Sequence, residues 1–290
     1  MATKPDIRRL SPGDSAALTR FLAAHADSSL FLRSNLQAAG LTYDGRPFEG
    51  VYVGMFAGEA LLGVAAHYWN GVIVLQAPHD AGALARAAVE TSARAVQGLV
   101  GPWAQTSAAR TALGAERRPT SLNSKEILSR LALSELRVPA SLTNGVYRCR
   151  RSHPSDIGQL IEWRMGYSAE ALHEPDTPAN RAKQTPALER AHAAGEIFVL
   201  EHADRAVSTC HFNATAGDMV QIGGVWTPPA LRRRGYARAV VAGAVLAART
   251  AGVLAAVLFT NEDNLAAQRA YAAIGFTPIG DYGLIMFDGD

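Results

Sequence analysis

The chain has few cysteines and no long hydrophobic run. Only Cys149 and Cys210 occur in 290 residues, too few for a secreted disulfide framework and without the close Cys or His pairs of a zinc site. The longest apolar run, residues 239–248, is shorter than the ~20 residues that cross a bilayer. The first ten residues lack the apolar core and cleavage site of a signal peptide. We therefore expect a soluble, cytoplasmic protein with reduced thiols and no metal.

Several sequence motifs of other enzyme classes are also missing. There is no GxxxxGK[ST] phosphate loop and no GxGxxG dinucleotide motif. His173-Glu174 is followed by Thr177 where an HExxH metalloprotease needs its second histidine. The net charge of +2 provides no global field for nucleic acid or an anionic membrane, so neither is expected as a partner.

The composition is that of an ordinary globular protein, and the length suits two domains. Hydrophobic residues make up 48% and charged residues 19% of the chain. Proline, serine, asparagine and glycine cluster between Pro139 and Gly145, which indicates a boundary between domains at residues 1–140 and 146–290. Periodicity predicts the order β-α-α-β-β-β-α-β-α-β in the second half. A similar order in the first half, including a long helix over 81–99, suggests a duplicated module.

The strongest local pattern is a strand over 219–226, a proline-bearing turn, and a long helix beginning near Gly235. The first turn of a helix has backbone N–H groups without partners and a partial positive charge. Three arginines, Arg232 to Arg234, precede this helix. Each such cation costs about 0.3–1 kcal/mol unless an anion offsets it. Because small residues at 235 and 237 let an anion approach, the pattern predicts a pyrophosphate site.

Two blocks in this region are similar to the signatures of the GNAT superfamily of N-acetyltransferases. The first is Arg232-x-x-Gly235-x-Ala237, and the second is Asn264-x-x-Ala267-x-x-x-Tyr271-x-x-x-Gly275-Phe276. The resemblance covers about residues 146–287. It implies an α/β fold with a mixed sheet: two tandem GNAT-like modules, each with a mostly antiparallel central sheet, helices on both faces and a splayed strand pair.

The resemblance also implies acetyl-CoA as cosubstrate and a set of residues that bind it. Main-chain groups at 225 and 227 would contact the acyl and pantetheine arm, the turn and helix start would hold the pyrophosphate, and an asparagine would bond the pantetheine. The implied cofactor-binding residues are Val225, Trp226, Thr227, Arg232, Arg233, Arg234, Gly235, Tyr236, Ala237 and Asn264.

Acyl transfer needs a neutral amine, a stabilised oxyanion and a proton for the departing thiolate. The Val225 N–H is the candidate oxyanion donor, and Tyr271 is the candidate acid, two helical turns after Asn264. Gln221 stands where many members of the superfamily have a glutamate base, and an amide cannot take a proton. The base is left open between a water chain, His211, and three carboxylates after the first helix: Glu170, Glu174 and Asp176.

The first half lacks an equivalent of this site. At the start of its long helix stands Asp80, which can cap the helix and would repel phosphate. We expect a degenerate module that completes the acceptor cleft or forms a dimer surface.

The leading interpretation is an acetyl-CoA-dependent N-acetyltransferase acting on a primary amine of a small molecule, amino acid or peptide, as a monomer or homodimer. The alternatives are a longer-chain amino-acid N-acyltransferase and a non-catalytic acyl-CoA sensor.

Overall fold

The computed structural model describes residues 5–288 and divides into two compact units. The first comprises the residues up to Leu128 together with those from Gly280 onward, and the second spans Ser129–Ile279. The boundary suggested by residues 139–145 therefore lies inside the second unit. The division falls within β6 (Thr120–Ala132) and again within β12 (Thr277–Phe287), so residues 280–287 of β12 belong to the first unit.

Between residue 5 and the start of β6, the first unit contains four α-helices and five strands. In chain order these are β1 (Asp6–Arg9), α1 (Ser15–Ala24), α2 (Leu30–Ala39), β2 (Gly50–Ala57), β3 (Ala60–Tyr68), β4 (Val72–Gln76), α3 (Ala81–Ser92), β5 (Gly98–Pro102) and α4 (Trp103–Ala112).

The sheet of the first unit has the order β1-β2-β3-β4-β5, followed by residues 282–286 of β12. All neighbouring pairs are antiparallel except β4 and β5, which are parallel because α3 connects them. The apolar faces of α3 and α4 pack on one side of this sheet. Buried core residues there include Val53, Ile73, Leu84 and Leu99.

The second unit contains the remaining elements. They are α5 (Ala140–Thr143), β7 (Tyr147–Arg151), α6 (Ile157–Ala171), α7 (Pro178–Ala193), β8 (Ile197–His202), β9 (Arg205–Ala216), β10 (Met219–Trp226), α8 (Tyr236–Thr250), β11 (Ala255–Asn261) and α9 (Leu265–Ala272).

Five strands of the second unit are paired in the order β11-β10-β9-β8-β7; among these five described strands, only β10 and β11 are parallel. Because side chains alternate along a strand, each face carries its own core. One core joins α8 and the residue Tyr271 of α9 to β9 and β10, through Cys210, Phe212 and Ile222 among others. The other joins α6 and α7 to Val199 and Trp226. The sheet thus has helices on both faces.

Helix α8 lies very close to the sheet because its buried residues after Tyr236 are all alanine, valine or glycine. A Cβ on Gly243 would overlap the side chain of Cys149. The thiols of Cys149 and Cys210 both donate to the Val240 carbonyl, each at 3.7 Å. Both are free, as expected, and burial raises the pKa of Cys149 to about 12.

The predicted element order of the second half is confirmed, with β7 and β10 at the predicted bounds. The helix predicted over residues 81–99 is wrong. It ends at Ser92, Ala93 adopts a left-handed conformation with φ of 52°, and residues 98–102 form β5. Within residues 5–288, no helix is both long and apolar enough to cross a membrane.

Candidate functional site

Strands β10 and β11 separate partway along their length. Their registered pairs run from Met219 with Ala255 to Ile222 with Leu258, although both strands continue beyond that point. On the other side of β10, the register with β9 shifts between Gly223 and Trp226, which marks a β-bulge. The bulge turns β10 away from its parallel neighbour and opens a cleft between the two strands. This is the splayed strand pair that the GNAT resemblance implies.

Two glycines form the bulge because other side chains occupy the space beside them. A Cβ on Gly223 would overlap the amide of Asn213, and a Cβ on Gly224 would overlap the imidazole Nε2 of His211. Gly224 also has a φ of 54°, which favours glycine. Beyond the bulge, the Ser208 hydroxyl donates to the Trp226 carbonyl at 2.8 Å. The main chain around Val225 is therefore fixed on both sides.

A cavity of about 650 Å³ lies between the end of β10, the start of α8 and one side of α9. It gathers most of the residues predicted from the sequence. Nine of the ten predicted cofactor-binding residues line it, and so does the candidate acid Tyr271; the nine are Val225, Trp226, Thr227, Arg232, Arg233, Gly235, Tyr236, Ala237 and Asn264. The tenth, Arg234, is exposed and does not line the cavity.

The amino end of α8 faces this cavity without a capping side chain. Gly235 is the N-cap residue, with φ of 79°, and no side chain of residues 5–288 caps the helix there. The first hydrogen bond within the helix runs from the Ala239 N–H to the Gly235 carbonyl, at 3.0 Å. The amides before Ala239 are thus without helical partners, as an anion-binding helix end requires.

Arg232 has a different environment from the one expected of a phosphate ligand. Its two terminal nitrogens bond both carboxylate oxygens of Glu170, at 2.9 and 2.7 Å. Its Nε donates to the Thr227 carbonyl at 3.0 Å, and its guanidinium lies 4.8 Å from the centre of the Trp226 ring. Because these contacts occupy the guanidinium, Arg232 braces the turn before α8, and the cations left for an anion are its neighbours.

Two further arginines line the cavity that the sequence reasoning did not identify. Arg238 lies in the first turn of α8, and Arg269 lies on α9. Arg238 could have been identified from its position three residues after Gly235, which places it in the first turn of the helix. Arg269 is five residues after Asn264, a position that the second sequence block leaves variable. With Arg233, they give the cavity an excess of positive charge that suits a polyanionic ligand.

Asn264 and Tyr271 lie on the same side of α9, as their seven-residue spacing predicts. Asn264 is the N-cap of α9, and its Oδ1 accepts from the Ala267 N–H at 3.1 Å. This leaves its Nδ2 to face the cavity. Tyr271 is 9% exposed and packs edge-on against Phe276, with ring centres 6.2 Å apart.

Gln221 and His211, the other two candidate catalytic residues, do not line the cavity. Gln221 is 2% exposed; its Nε2 donates to the Ile222 carbonyl at 2.7 Å. His211 lies on the face of the sheet that α6 and α7 cover, since its neighbours Cys210 and Phe212 face α8. Burial, and then the Arg164 guanidinium, lower the pKa of His211 to about 3. His211 is therefore neutral at pH 7 and a weak base.

The carboxylates considered as alternative bases all have cationic or polar partners. Glu170 is bound by Arg232, and Glu174 contacts Lys183 and the Gln184 amide, at 3.4 and 3.0 Å. Asp176 is bound by Arg181, and this bond holds the pKa of Asp176 below its usual range. None of these groups is poised to take a proton at the bulge. Between residues 5 and 288, no group of His, Cys, Asp and Glu side chains could hold a metal ion.

The corresponding helix end of the first unit is closed. Asp80 caps α3, and its carboxylate accepts from the Ala83 N–H at 2.8 Å. The neighbouring strands also stay in contact, since a Cβ on Gly101 would lie 2.7 Å from the Leu75 carbonyl oxygen. The first unit therefore lacks both features that define the site of the second.

Comparison with known proteins agrees with this geometry. Residues 159–276 match the profile of the Acetyltransferase (GNAT) family, and a search of curated proteins finds no significant match. Among solved structures, a Drosophila protein aligns over 97% of this chain and 98% of its own, at 11% identity and a TM-score of 0.69.

Two other solved structures with a similar fold are GNAT proteins. A GCN5-related N-acetyltransferase from Sphaerobacter thermophilus aligns over 99% of this chain and 97% of its own, at 17% identity and a TM-score of 0.58. A tandem GNAT protein from the clavulanic acid biosynthesis pathway aligns over 99% and 100%, at 12% identity and a TM-score of 0.51. The protein therefore has a tandem GNAT fold, and its residues 159–276 belong to the Acetyltransferase (GNAT) family.

Proposed function

We propose that the protein transfers an acetyl group from acetyl-CoA to a primary amine of a small molecule, amino acid or peptide, by direct attack in a ternary complex. The observation that carries this proposal is the uncapped amino end of α8, which faces a cavity of about 650 Å³ beside the splayed strands. A pyrophosphate bound there accepts hydrogen bonds from the free amides and is favoured by the helix dipole.

Each remaining part of the cosubstrate has a matching surface. Arg233, Arg238 and Arg269 supply charge for the phosphates. The pantetheine arm fits the cleft between β10 and β11, where the Asn264 Nδ2 can donate to an amide carbonyl. The thioester then lies near Val225, beside the bulge.

The chemical step uses groups on the two sides of the thioester. The neutral amine attacks the carbonyl carbon, the new C–N bond forms, and the Val225 N–H stabilises the oxyanion. The C–S bond then breaks, and the thiolate takes a proton from the Tyr271 hydroxyl. The extra proton on the nitrogen passes to water, and solvent returns a proton to the Tyr271 phenolate. His211 is too weak a base to hold it, and its neutral imidazole better suits orienting the amine.

A second function, an acyl-CoA sensor without turnover, is favoured by one specific observation. Gln221 replaces the glutamate base, and every other candidate base is paired or weakly basic. Both functions require acetyl-CoA at α8, and they differ in whether free thiol is released when an amine is present.

Calorimetry of acetyl-CoA binding tests the shared part of both functions. Replacing Arg233 and Arg234 together by alanine should weaken binding about 10-fold or more, because charge-assisted contacts to phosphate are lost. The matched control replaces Arg148 and Arg205, two exposed arginines elsewhere in the second unit, and should leave the affinity unchanged. Equal affinities of the two double variants would count against a phosphate site at this helix end.

A further inference from the structure

The face of the sheet opposite the cavity carries a second set of polar groups near the bulge. Helix α6 packs closely on β10, since a Cβ on Gly166 would lie 2.8 Å from Cζ2 of Trp226. If acetyl-CoA occupies the α8 side, an amine has to reach the thioester from the α6 side. The side chains of α6 that face β9 and β10 therefore determine which amines fit.

Arg164 on α6 is a half-buried cation with no carboxylate partner. Its Nε donates to the Gln184 Oε1 at 3.0 Å, and its guanidinium lies 5.3 Å from the centre of the Tyr167 ring. Across residues 5–288, its two terminal nitrogens bond no protein atom and no carboxylate lies within 4.0 Å of them. Burial lowers the pKa of this guanidinium, and the charges of Tyr167 and Glu174 offset that effect only in part.

Three other half-buried arginines of the same unit are paired with carboxylates. Arg150 bonds Asp156 and Glu201, at 2.6 Å each, and Arg181 likewise holds two carboxylates. Arg232 forms its two-bond pair with Glu170. Because buried cations in proteins are normally paired, the exception at Arg164 suggests that a ligand supplies the missing anion.

The groups around Arg164 place this anion site close to the bulge. Arg164 is near enough to His211 for its charge to lower the pKa of that imidazole, and the imidazole contacts the position of Gly224. Two buried polar atoms on the same side, the Ser168 Oγ one helical turn after Arg164 and the Gln221 Oε1 on β10, also lack a partner among residues 5–288. Buried polar atoms without partners are rare and are consistent with a site that a polar ligand completes.

We propose that the acceptor is an amine that carries a carboxylate, as an amino acid does, and that Arg164 binds this carboxylate. This inference rests on the proposed acetyltransferase function. A guanidinium with two free terminal nitrogens matches the two oxygens of a carboxylate. A single cation suits a singly charged anion. Glu174 acts on Arg164 only through space, since its carboxylate bonds the Gln184 amide and not the guanidinium. The carboxylate held at Arg164 directs the amino nitrogen towards the thioester at Val225.

Matched pairs of acceptors test the inference directly. Free-thiol release from acetyl-CoA is measured with a panel of L-amino acids, each compared with its own amide, which keeps the amine and removes the negative charge. Wild-type kcat/KM should be about 10-fold or more higher for the acids. Arg164→Gln should lower it about 100-fold for the acids, mainly through KM, and less than about 3-fold for the amides. Arg205→Gln, at an exposed position, should change neither.

Two further measurements complete the test: the activity of Arg164→Lys and the affinity of the wild-type protein for acetyl-CoA. Lysine retains the charge without the two-bond geometry, so a loss of about 10-fold for the acids alone is expected; this variant carries the test if Arg164→Gln does not fold. Three results would overturn the inference while acetyl-CoA still binds normally. They are equal kcat/KM for acids and amides, an equal loss of kcat/KM on both in Arg164→Gln, and no turnover of any acid. Absence of acetyl-CoA binding by the wild-type protein overturns the proposed function as well.

Discussion

His211 and Gly224 lie so close together that the imidazole Nε2 occupies the place where a side chain at 224 would begin. This contact fixes the bulge in β10, and the bulge in turn positions the main chain of Val225 beside the cleft. The local geometry of the site therefore depends on a residue without a side chain.

Gly224→Ala should destabilise the protein by about 1–3 kcal/mol, because it adds a steric overlap to an unfavourable φ. Gly217→Ala is the matched control, since Gly217 has a similar φ of 52° and no atom within 4 Å of an added Cβ. Denaturant unfolding should show the larger loss at 224. In a His211→Ala background, the difference between the two variants should shrink by about 1 kcal/mol; an unchanged difference would mean that the imidazole does not cause it.

Tyr271→Phe should separate the transferase from the sensor. If the hydroxyl protonates the leaving thiolate, turnover should fall about 100-fold while the affinity for acetyl-CoA, measured by calorimetry, stays the same. Tyr43→Phe removes a hydroxyl in the first unit and serves as control. If Tyr271→Phe does not change turnover, Tyr271 has no part in the mechanism. If the wild-type protein releases no thiol with any amine, the sensor is favoured.

Asp80→Ala should cost about 1 kcal/mol of unfolding free energy, because the carboxylate caps the first turn of α3. The affinity for acetyl-CoA should not change, since the strands beside that helix end remain in contact at Gly101 and Leu75. Glu90→Ala removes the same charge from an exposed position of the same helix and should be close to neutral. A second equivalent of acetyl-CoA bound by Asp80→Ala would show that the cap alone closes this helix end.

The sequence was most informative where local chemistry determines structure. The order of elements in the second half, the glycine pair in β10 and the spacing of Asn264 and Tyr271 follow from periodicity and backbone preference, and all are confirmed. The cap at Asp80 was also predictable, because an aspartate before a helix has a specific hydrogen-bonding role.

Contacts between residues far apart in the chain could not be predicted from the sequence. The end of the helix at Ser92 was missed because alanines continue past it, and the short strand β5 is recognisable only through its pairing with β4 and β12. The bond between Arg232 and Glu170 joins residues 62 positions apart, so Arg232 looked identical in kind to Arg233. In the same way, Arg164 is conspicuous only because the folded chain leaves it without a carboxylate.

The central claim is that the amino end of α8 binds the pyrophosphate of acetyl-CoA, and Ala237→Glu tests it most directly. A glutamate in the first helical turn interacts favourably with the helix dipole, by about 0.3–1 kcal/mol, so folding should be preserved. The same charge repels a pyrophosphate. Calorimetry should therefore show acetyl-CoA affinity reduced about 100-fold or more in Ala237→Glu, and unchanged in Ala247→Glu, where the same charge lies at an exposed position of the same helix. Wild-type affinity in a folded Ala237→Glu protein would contradict the account.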